Sequence, residues 1–289
     1  MRQRTSCVTR DAAPGRLYVV STPIGNLGDF SFRAVDVLKS VTLVLAEDTR
    51  HSRTLLDRYE IRTPTAAFHE HNEAKSSPSF VERLLAGDSL ALISDAGTPL
   101  LSDPGQRLVQ AAVDAGIDVV PIPGPSALLA ALVASGIAAD RFTFFGFLPR
   151  KGKERAALLE EIASSPHTAV LYEAPNRVAD SLRELADRAA DRRAVVAREL
   201  TKQFEELRRG TLEELTAYYS DTPPRGEVVI VIAGAPPVTL DESVLHEEAR
   251  AMRSGGMTVR DVAAALAQRG VPRNVAYRIA RGAEIGNGK

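Results

Sequence analysis

The segment Leu90-Ala-Leu-Ile-Ser-Asp-Ala-Gly-Thr-Pro-Leu-Leu-Ser-Asp-Pro-Gly105 joins an apolar run to a loop of glycine, proline and small polar residues. Leu90–Ile93 has the length and composition of a buried strand. Asp103 followed by Pro104 is typical of a helix start, because the carboxylate caps free N–H groups and proline suits the first helical position. A further apolar run, Ile117–Ile122, follows that helix. The segment therefore predicts a strand–loop–helix–strand unit.

The same alternation continues on both sides of this unit. Further strands are predicted at Leu17–Ser21, Val41–Ala46, Phe142–Phe145, Ala169–Tyr172, Ala194–Ala197 and Val228–Ala233. Helices are predicted at 49–59, 153–163, 176–190 and 211–219. A further helix is predicted to follow a capping box at Ser79–Glu82. Strands that alternate with helices predict an α/β fold with largely parallel sheets, covered on both faces.

A proline-rich stretch, Pro121-Ile-Pro-Gly-Pro125, interrupts the alternation and marks a domain boundary. We expect a disordered leader at 1–14, an N-terminal α/β domain at 15–123, a C-terminal α/β domain at 124–237 and a tail at 238–289. A length of 289 residues agrees with about two domains and a small third element.

The composition is that of an ordinary globular protein, with 44% hydrophobic and 25% charged residues. No apolar run approaches the roughly 18 residues of a membrane span. The first residues lack the apolar core of a signal peptide, so we expect no export. The single cysteine, Cys7, fits a reducing compartment. These features predict a cytoplasmic protein.

The net charge of −1 is unevenly distributed. Residues 250–289 hold eight basic groups against two acidic ones, so this end is +6 and the remainder −7. Thr258–Asp261 has the spacing of a helix cap, Gly270 ends that helix, and Arg273–Arg281 forms a second one. Two short helices around a glycine turn are typical of a helix-turn-helix that contacts a polyanion. A plain helical hairpin with a solvated basic face fits the same pattern.

Common catalytic signatures are absent from the sequence. It contains no G-x-G-x-x-G after the first strand, no phosphate-binding G-x-x-x-x-G-K-[ST], no H-E-x-x-H, no zinc-type cysteine pairs and no G-x-S-x-G. The familiar dinucleotide-binding, P-loop, zinc-protease and serine-hydrolase classes therefore do not fit.

Several loops instead collect glycine, proline and polar residues where strands end, the edge at which parallel sheets bind ligands. These loops are Thr22–Asp29, Ile93–Gly105, Pro123–Ala127, Tyr172–Arg177 and Arg198–Lys202. The second is long for a mere connection, and the third opens a helix whose free N–H groups suit a carboxylate. Tight turns, a linker and ordinary ion pairs are the alternative interpretations of the same residues.

Two polar clusters follow the second and third strands, at Glu47–His51 and His69–Glu73. They place carboxylates, imidazoles and an arginine at the ligand-binding edge of the predicted sheet. The His-x-His pair lacks further ligands of metal type, so we expect no metal site.

Five of these segments, in order, resemble the ribosomal RNA small subunit methyltransferase I family of the tetrapyrrole methylase superfamily. They are Glu47–Arg50, His69–Glu73, Ser94–Pro99 with Ser102–Gly105, Phe145–Pro149 and Arg198–Lys202. The resemblance extends from about Gly15 to Gly234, and the basic tail is similar to the helix-turn-helix of that family.

The resemblance implies a class III methyltransferase fold, in which S-adenosylmethionine binds in a cleft between two α/β domains. It also implies a homodimer. The implied reaction is methylation of a cytidine ribose 2′-hydroxyl in 16S rRNA, near the decoding centre of the assembled small ribosomal subunit.

The resemblance also implies which residues hold the cofactor, mainly through their backbone. They are Pro23, Gly25, Asp95, Ala96, Gly97, Thr98, Leu101, Ser126, Ala127, Leu171, Tyr172 and Glu173. The tetrapyrrole branch has Gly-Asp-Pro where this chain has Gly97-Thr98-Pro99, so Asp95 is the expected replacement for the missing carboxylate.

A ribose hydroxyl is a poor nucleophile and benefits from a base or a cation. Candidates for removing the proton or orienting the ribose are Glu47, Asp48, Arg50, His69 and Glu173, and Lys202 and Arg198 are candidates for holding phosphate or developing alkoxide. Candidate RNA contacts are Arg150, Lys151, Lys153, Arg155 and, in the tail, Arg269, Arg273 and Arg278. The phenylalanines of 142–147 are predicted to pack in the core.

Two other functions remain open from the residues alone. The first keeps the fold and methylates a corrin or porphyrin precursor or a protein side chain; the basic tail and the two polar clusters disfavour it. The second is a ligand-sensing helix-turn-helix regulator, which only the tail supports.

Overall fold

The computed structural model describes residues 14–236, 242–268 and 270–283. The chain forms two compact units, a body that ends at Ala235 and a tail that begins at Pro236. The predicted leader, apart from Pro14, and Arg269 lie outside the described residues. No helix in the described part is both long and apolar enough to span a bilayer.

The first sheet of the body is parallel throughout, in the order β3-β2-β4-β1-β5. Its strands are β1 (Arg16–Val20), β2 (Leu43–Ala46), β3 (Thr65–Ala67), β4 (Leu90–Ile93) and β5 (Asp118–Ile122). Its helices are α1 (Phe32–Ser40), α2 (Thr49–Arg58), α3 (Glu70–Leu85) and α4 (Gln106–Asp114). Every residue of β2 and β4 is buried, because helices cover both faces. The carboxyl ends of all five strands therefore share one edge.

The second sheet has the order β6-β7-β10-β8-β9. Its strands are β6 (Phe142–Phe147), β7 (Thr168–Glu173), β8 (Arg193–Arg198), β9 (Glu206–Thr211) and β10 (Val228–Ile232). Its helices are α5 (Ala127–Ser135), α6 (Lys153–Ser164), α7 (Val178–Ala189) and α8 (Leu212–Asp221).

The expectation of a largely parallel sheet is wrong for this second sheet. Only one pair of neighbouring strands, β6 and β7, is parallel, whereas β10 lies antiparallel between β7 and β8, and β9 is antiparallel to β8. The connection from β8 to β9 is too short for the crossover that a parallel pair requires, so the two strands form a hairpin. β9 was not predicted, because Glu-Leu-Arg-Arg-Gly-Thr lacks an apolar run; charged residues are typical of an edge strand.

Two predicted helix starts are wrong. Helix α3 begins well before Ser79, with His69 as its cap, where the Asn72 side chain accepts a hydrogen bond from the His69 amide at 2.9 Å. Helix α4 is not capped by Asp103. The buried carboxylate of Glu73, on α3, instead accepts from the amides of Gly105 (3.1 Å) and Arg107 (2.7 Å). A long-range cap of this kind leaves no local sequence signal.

The tail has a hydrophobic core of its own. Helices α9 (Glu242–Ser254), α10 (Val259–Gln268) and α11 (Arg273–Gly282) bury Leu245, Leu266 and Ile279 among one another. The predicted cap is present, with the Asp261 amide 3.2 Å from the Thr258 hydroxyl. The helical pair α10–α11 follows the sequence prediction, and α9 is an additional helix.

The Glu73 cap generates a stability prediction. We expect Glu73→Gln to lower the free energy of unfolding by about 1–2 kcal/mol, because the amide keeps one acceptor but loses the charge at the start of α4. Urea unfolding measures this loss. Glu82→Gln, an exposed change on the same helix, is the matched control and should cost less than about 0.5 kcal/mol. Equal stability of the two variants would contradict the cap.

Candidate active site

A cleft of about 410 Å³ lies within the body, where the carboxyl edge of the first sheet meets the second. That volume suits a small organic ligand. It is lined by Ile24, Glu47, Asp95, Ala96, Gly97, Thr98, Leu101, Ser102, Asp103, Ser126, Ala127, Phe147, Tyr172, Glu173, Ala174, Pro175, Gly226, Glu227, Val228 and Val229. Most of the predicted cofactor residues therefore come together here, and Pro23 and Gly25 flank Ile24.

The loop after β4 forms one wall of the cleft and is rigidly held. Thr22 and Gly97 exchange backbone hydrogen bonds of 2.8 and 3.1 Å, and the Thr98 hydroxyl donates to the Pro125 carbonyl at 3.1 Å. Gly97 has φ of +87°, and the non-glycine residues Leu100 and Ser102 also have positive φ, at 74° and 73°. Such backbone costs about 1–3 kcal/mol per residue and is concentrated at ligand-binding sites.

The N-terminus of α5 forms a second wall. Ser126 occupies the N-cap position of this helix, yet its hydroxyl makes no capping hydrogen bond and is buried without a partner. An unsatisfied buried hydroxyl facing a cleft is a polar group that a ligand can satisfy. The free N–H groups at the helix start suit a carboxylate. Together with the bare backbone of Gly97, these features fit the amino-acid part and polar atoms of S-adenosylmethionine.

Three carboxylates, Glu47, Asp95 and Asp103, lie close together in the cleft lining. Asp95 accepts a hydrogen bond from the Asp48 amide at 3.1 Å. Burial raises the pKa of Glu47, and the charge of Asp95 adds to it. Burial likewise raises the pKa of Asp103 to about 6, with a further contribution from Glu47. Above that pH the cleft is acidic and attracts a cation. Within the described residues, no group of three or more metal-binding side chains is arranged to hold a metal ion.

Among the catalytic candidates, Glu47 lines the cleft, whereas Asp48 and Arg50 lie at the N-terminus of α2. The Asp48 carboxylate caps that helix by accepting from the Arg50 amide at 2.8 Å, and this bond lowers the pKa of Asp48. The Arg50 side chain is 93% exposed and its Nε lies 3.7 Å from Asp48. The imidazole of His69 lowers the pKa of Glu47 and so partly opposes the effect of burial. The Nδ1 atom of His69 is buried without a hydrogen-bond partner.

The placement of Glu173 does not fit the predicted catalytic role. Its carboxylate is fully buried and accepts from the Ala174 amide (2.8 Å) and the Ser181 hydroxyl (2.6 Å), and it pairs with Arg177 at 3.1 Å. Leu171 also faces the core beside α7 rather than the cleft. Alternation along β7 therefore leaves Tyr172 as the side chain directed to the cleft.

Lys202 lies beside the cleft, with its ammonium 3.0 Å from Glu199 and 3.2 Å from the cleft residue Glu227. Its aliphatic stem covers Gly25, where a Cβ would come within 2.3 Å of Lys202 Cγ, so any larger residue there would have to displace the lysine side chain. Arg198 does not fit its predicted role, because its guanidinium pairs with Glu206, the first residue of β9, at 2.7 Å.

The basic group after β6 divides in two. Arg150, Lys151 and Lys153 are exposed, as an RNA contact requires. Arg155 is buried at 6% exposure and pairs with Glu184 at 3.0 Å, so it does not fit the predicted RNA contact. In the tail, Arg273 and Arg278 are exposed, and Arg273 borders a groove of about 600 Å³ together with Tyr277.

Sequence reasoning missed several cleft residues. The sequence predicts Asp103 to be a helix cap, yet it lines the cleft, and the cleft residue Glu227 belongs to no recognisable motif. The prediction that Phe147 packs in the core is wrong, because it is 53% exposed and lines the cleft. The feature of the sequence that could have identified Phe147 is an aromatic residue followed closely by several basic residues.

The chain is similar to known methyltransferases in sequence. Residues 16–216 match the family "Tetrapyrrole (Corrin/Porphyrin) Methylases". Ribosomal RNA small subunit methyltransferase I of Synechocystis sp. is 45% identical over 92% of this chain and 97% of the relative. The protein of the same name from Pseudomonas aeruginosa is 47% identical over 91% of this chain and 96% of the relative.

Solved structures share the fold at lower identity. A diphthine synthase has a TM-score of 0.60 at 15% identity, covering 75% of this chain and 89% of its own. Uroporphyrin-III C-methyl transferase from Thermus thermophilus, complexed with S-adenosyl homocysteine, has a TM-score of 0.55 at 19% identity, covering 76% and 97%. By sequence similarity over nine-tenths of its length and by fold, this chain belongs to the ribosomal RNA small subunit methyltransferase I family of the tetrapyrrole methylases.

Proposed function

We propose that this protein transfers a methyl group from S-adenosylmethionine to the ribose 2′-hydroxyl of a cytidine in 16S rRNA, near the decoding centre. The substrate is the assembled small ribosomal subunit, which places the enzyme in the cytoplasm. The proposal includes a homodimer. Sedimentation of the free protein would measure its mass and so test this assembly. The exposed apolar side chains Leu129 and Val133 on α5 support a covered face there.

The observation that carries the proposal is the similarity to named rRNA methyltransferases across more than nine-tenths of both chains. The cleft adds independent support for the methyl donor. It combines a helix N-terminus, an unsatisfied Ser126 hydroxyl and a carboxylate cluster, and these match the carboxylate, polar and cationic parts of one zwitterionic ligand.

S-adenosylmethionine supplies a methyl group that is already activated for transfer. The protein therefore has to align the acceptor and remove its proton, and alignment alone accounts for a large share of such accelerations. The rigid loop at Gly97 and the α5 N-terminus hold the donor. Arg150, Lys151 and Lys153 attract the phosphates of the acceptor strand.

Glu47 is the residue best placed to take the proton. It lines the cleft, and its pKa is raised by burial and by the charge of Asp95. A carboxylate with a raised pKa holds a proton more readily than an ordinary one, which suits a general base. Asp48 and Glu173 are already engaged in hydrogen bonds of the fold.

The proposed function is tested by transfer of labelled methyl groups to small subunits that lack the modification. We expect label at one cytidine of 16S rRNA, at a bond that resists alkaline cleavage because its 2′-hydroxyl is blocked. Nuclease mapping identifies the position. Absence of label from a protein that demonstrably binds S-adenosylmethionine would overturn the assigned substrate.

Replacing the proposed base gives a sharper result. We expect Glu47→Gln to lower the single-turnover rate about 100-fold, because the amide cannot accept a proton. The wild-type rate should rise with pH through the raised pKa of Glu47, and this dependence should vanish in the variant. Glu70→Gln, an exposed neighbour, is the matched control. A Glu47→Gln variant that keeps most of its activity would assign the base elsewhere.

The carboxylate cluster predicts a pH-dependent affinity for the methyl donor. As pH rises through about 6, Asp103 loses its proton, the cleft gains negative charge, and the cationic S-adenosylmethionine should bind about tenfold more tightly. Calorimetric titration between pH 5 and 7.5 measures this change. Asp103→Asn should weaken the dependence, and S-adenosylhomocysteine, which lacks the sulfonium charge, should show less of it. Equal pH profiles for both ligands would contradict the electrostatic role.

A further inference from the structure

The ring of Phe147 is the exposed aromatic surface of the cleft. It ends β6, lines the cleft and is 53% exposed. Behind it, the ring of Tyr172 lies 5.6 Å away in edge-to-face contact, and Phe144 supports Tyr172 at 4.9 Å. The ring is therefore fixed from behind and open in front, an arrangement that offers a rigid apolar platform to a ligand.

An irregularity of the backbone directs this ring to the cleft. In a regular strand Phe147 would share the face of Phe145, which packs against the core beside α7. The register of β6 shifts between Phe144 and Phe147, where Gly146 has φ of +61°. The shift turns Phe147 to the opposite face, the one occupied by Tyr172. Bulges of this kind often redirect a side chain next to an active site.

Positive charge follows the ring along the chain. Arg150, Lys151 and Lys153 are exposed within six residues of Phe147, in the turn that leads into α6 and at the first residue of that helix. An aromatic ring beside several cations is the combination that binds single-stranded nucleic acid, because the ring stacks on a base while the cations contact phosphates.

We propose that Phe147 stacks on the base of the target nucleotide, which leaves its helix so that its ribose can enter the cleft. This inference rests on the proposed function. A cleft of about 410 Å³ that also holds the methyl donor has no room for a paired duplex, so the target must be extruded. An extruded base loses its stacking on neighbouring bases, and stacking on the ring of Phe147 compensates for this loss. Because every base presents a flat face, this contact holds the base in place without identifying it.

The test compares substitutions at Phe147 in the full-length protein. Phe147→Leu keeps an apolar side chain but removes the ring, and Phe147→Tyr keeps the ring. We expect Phe147→Leu to raise the KM for unmodified small subunits about tenfold, with the dissociation constant of S-adenosylmethionine unchanged, and Phe147→Tyr to restore the wild-type KM. Phe142→Leu is the matched control, because Phe142 is 40% exposed on the same strand but does not line the cleft.

Three outcomes would overturn the inference. A Phe147→Leu variant with wild-type KM shows that the base does not rest on this ring. A parallel loss of affinity for S-adenosylmethionine assigns the ring to the methyl donor instead. An equal rise in KM for Phe142→Leu reduces the effect to general packing. Failure of the proposed function is distinguishable from all three, since the wild-type protein would then leave small subunits unlabelled.

Discussion

The backbone pairing of Thr22 with Gly97 is the constraint on which the site depends. Two hydrogen bonds join the loop after β1 to the loop after β4, and the Thr22 hydroxyl adds a third to the Ser94 carbonyl at 3.1 Å. The far end of the second loop is fixed by Glu73, which caps α4 from α3. A segment anchored at both ends can sustain the positive φ of Leu100 and Ser102 between them. The cleft wall is therefore set before any ligand arrives.

Negative and positive side chains lie at different depths around the cleft. Glu47, Asp95 and Asp103 make the interior of the cleft negative, whereas the cations at 150–153 lie exposed outside it. A polyanion is attracted to the rim, and its phosphates are repelled from the interior. A neutral ribose is not repelled by the carboxylates of the interior, and a cationic methyl donor is attracted by them. The arrangement separates the two substrates by their charge.

Local sequence predicted most of the strands and the glycine-rich loops that follow them, because each depends on neighbouring residues. Features that depend on distant partners could not be predicted in this way. The side on which Glu173 lies follows from the register of β7, and Arg155 is buried only because Glu184 on another helix meets its charge. A motif places a residue at the edge of a sheet; packing decides which face its side chain takes.

The antiparallel course of β10 also shapes the site. In an all-parallel sheet, only the ends of strands reach the ligand-binding edge. Because β10 runs in the opposite direction, its first residue, Val228, pairs with Glu173 and Arg198 at the ends of β7 and β8. The chain just before β10 therefore enters the cleft and brings Glu227 within 3.2 Å of Lys202. That ion pair ties the start of β10 to the lysine whose stem covers Gly25, and so joins the second sheet to the first loop of the cleft. The antiparallel strand thus adds Gly226, Glu227, Val228 and Val229 to the cleft lining, which strand ends of a parallel sheet alone would not supply.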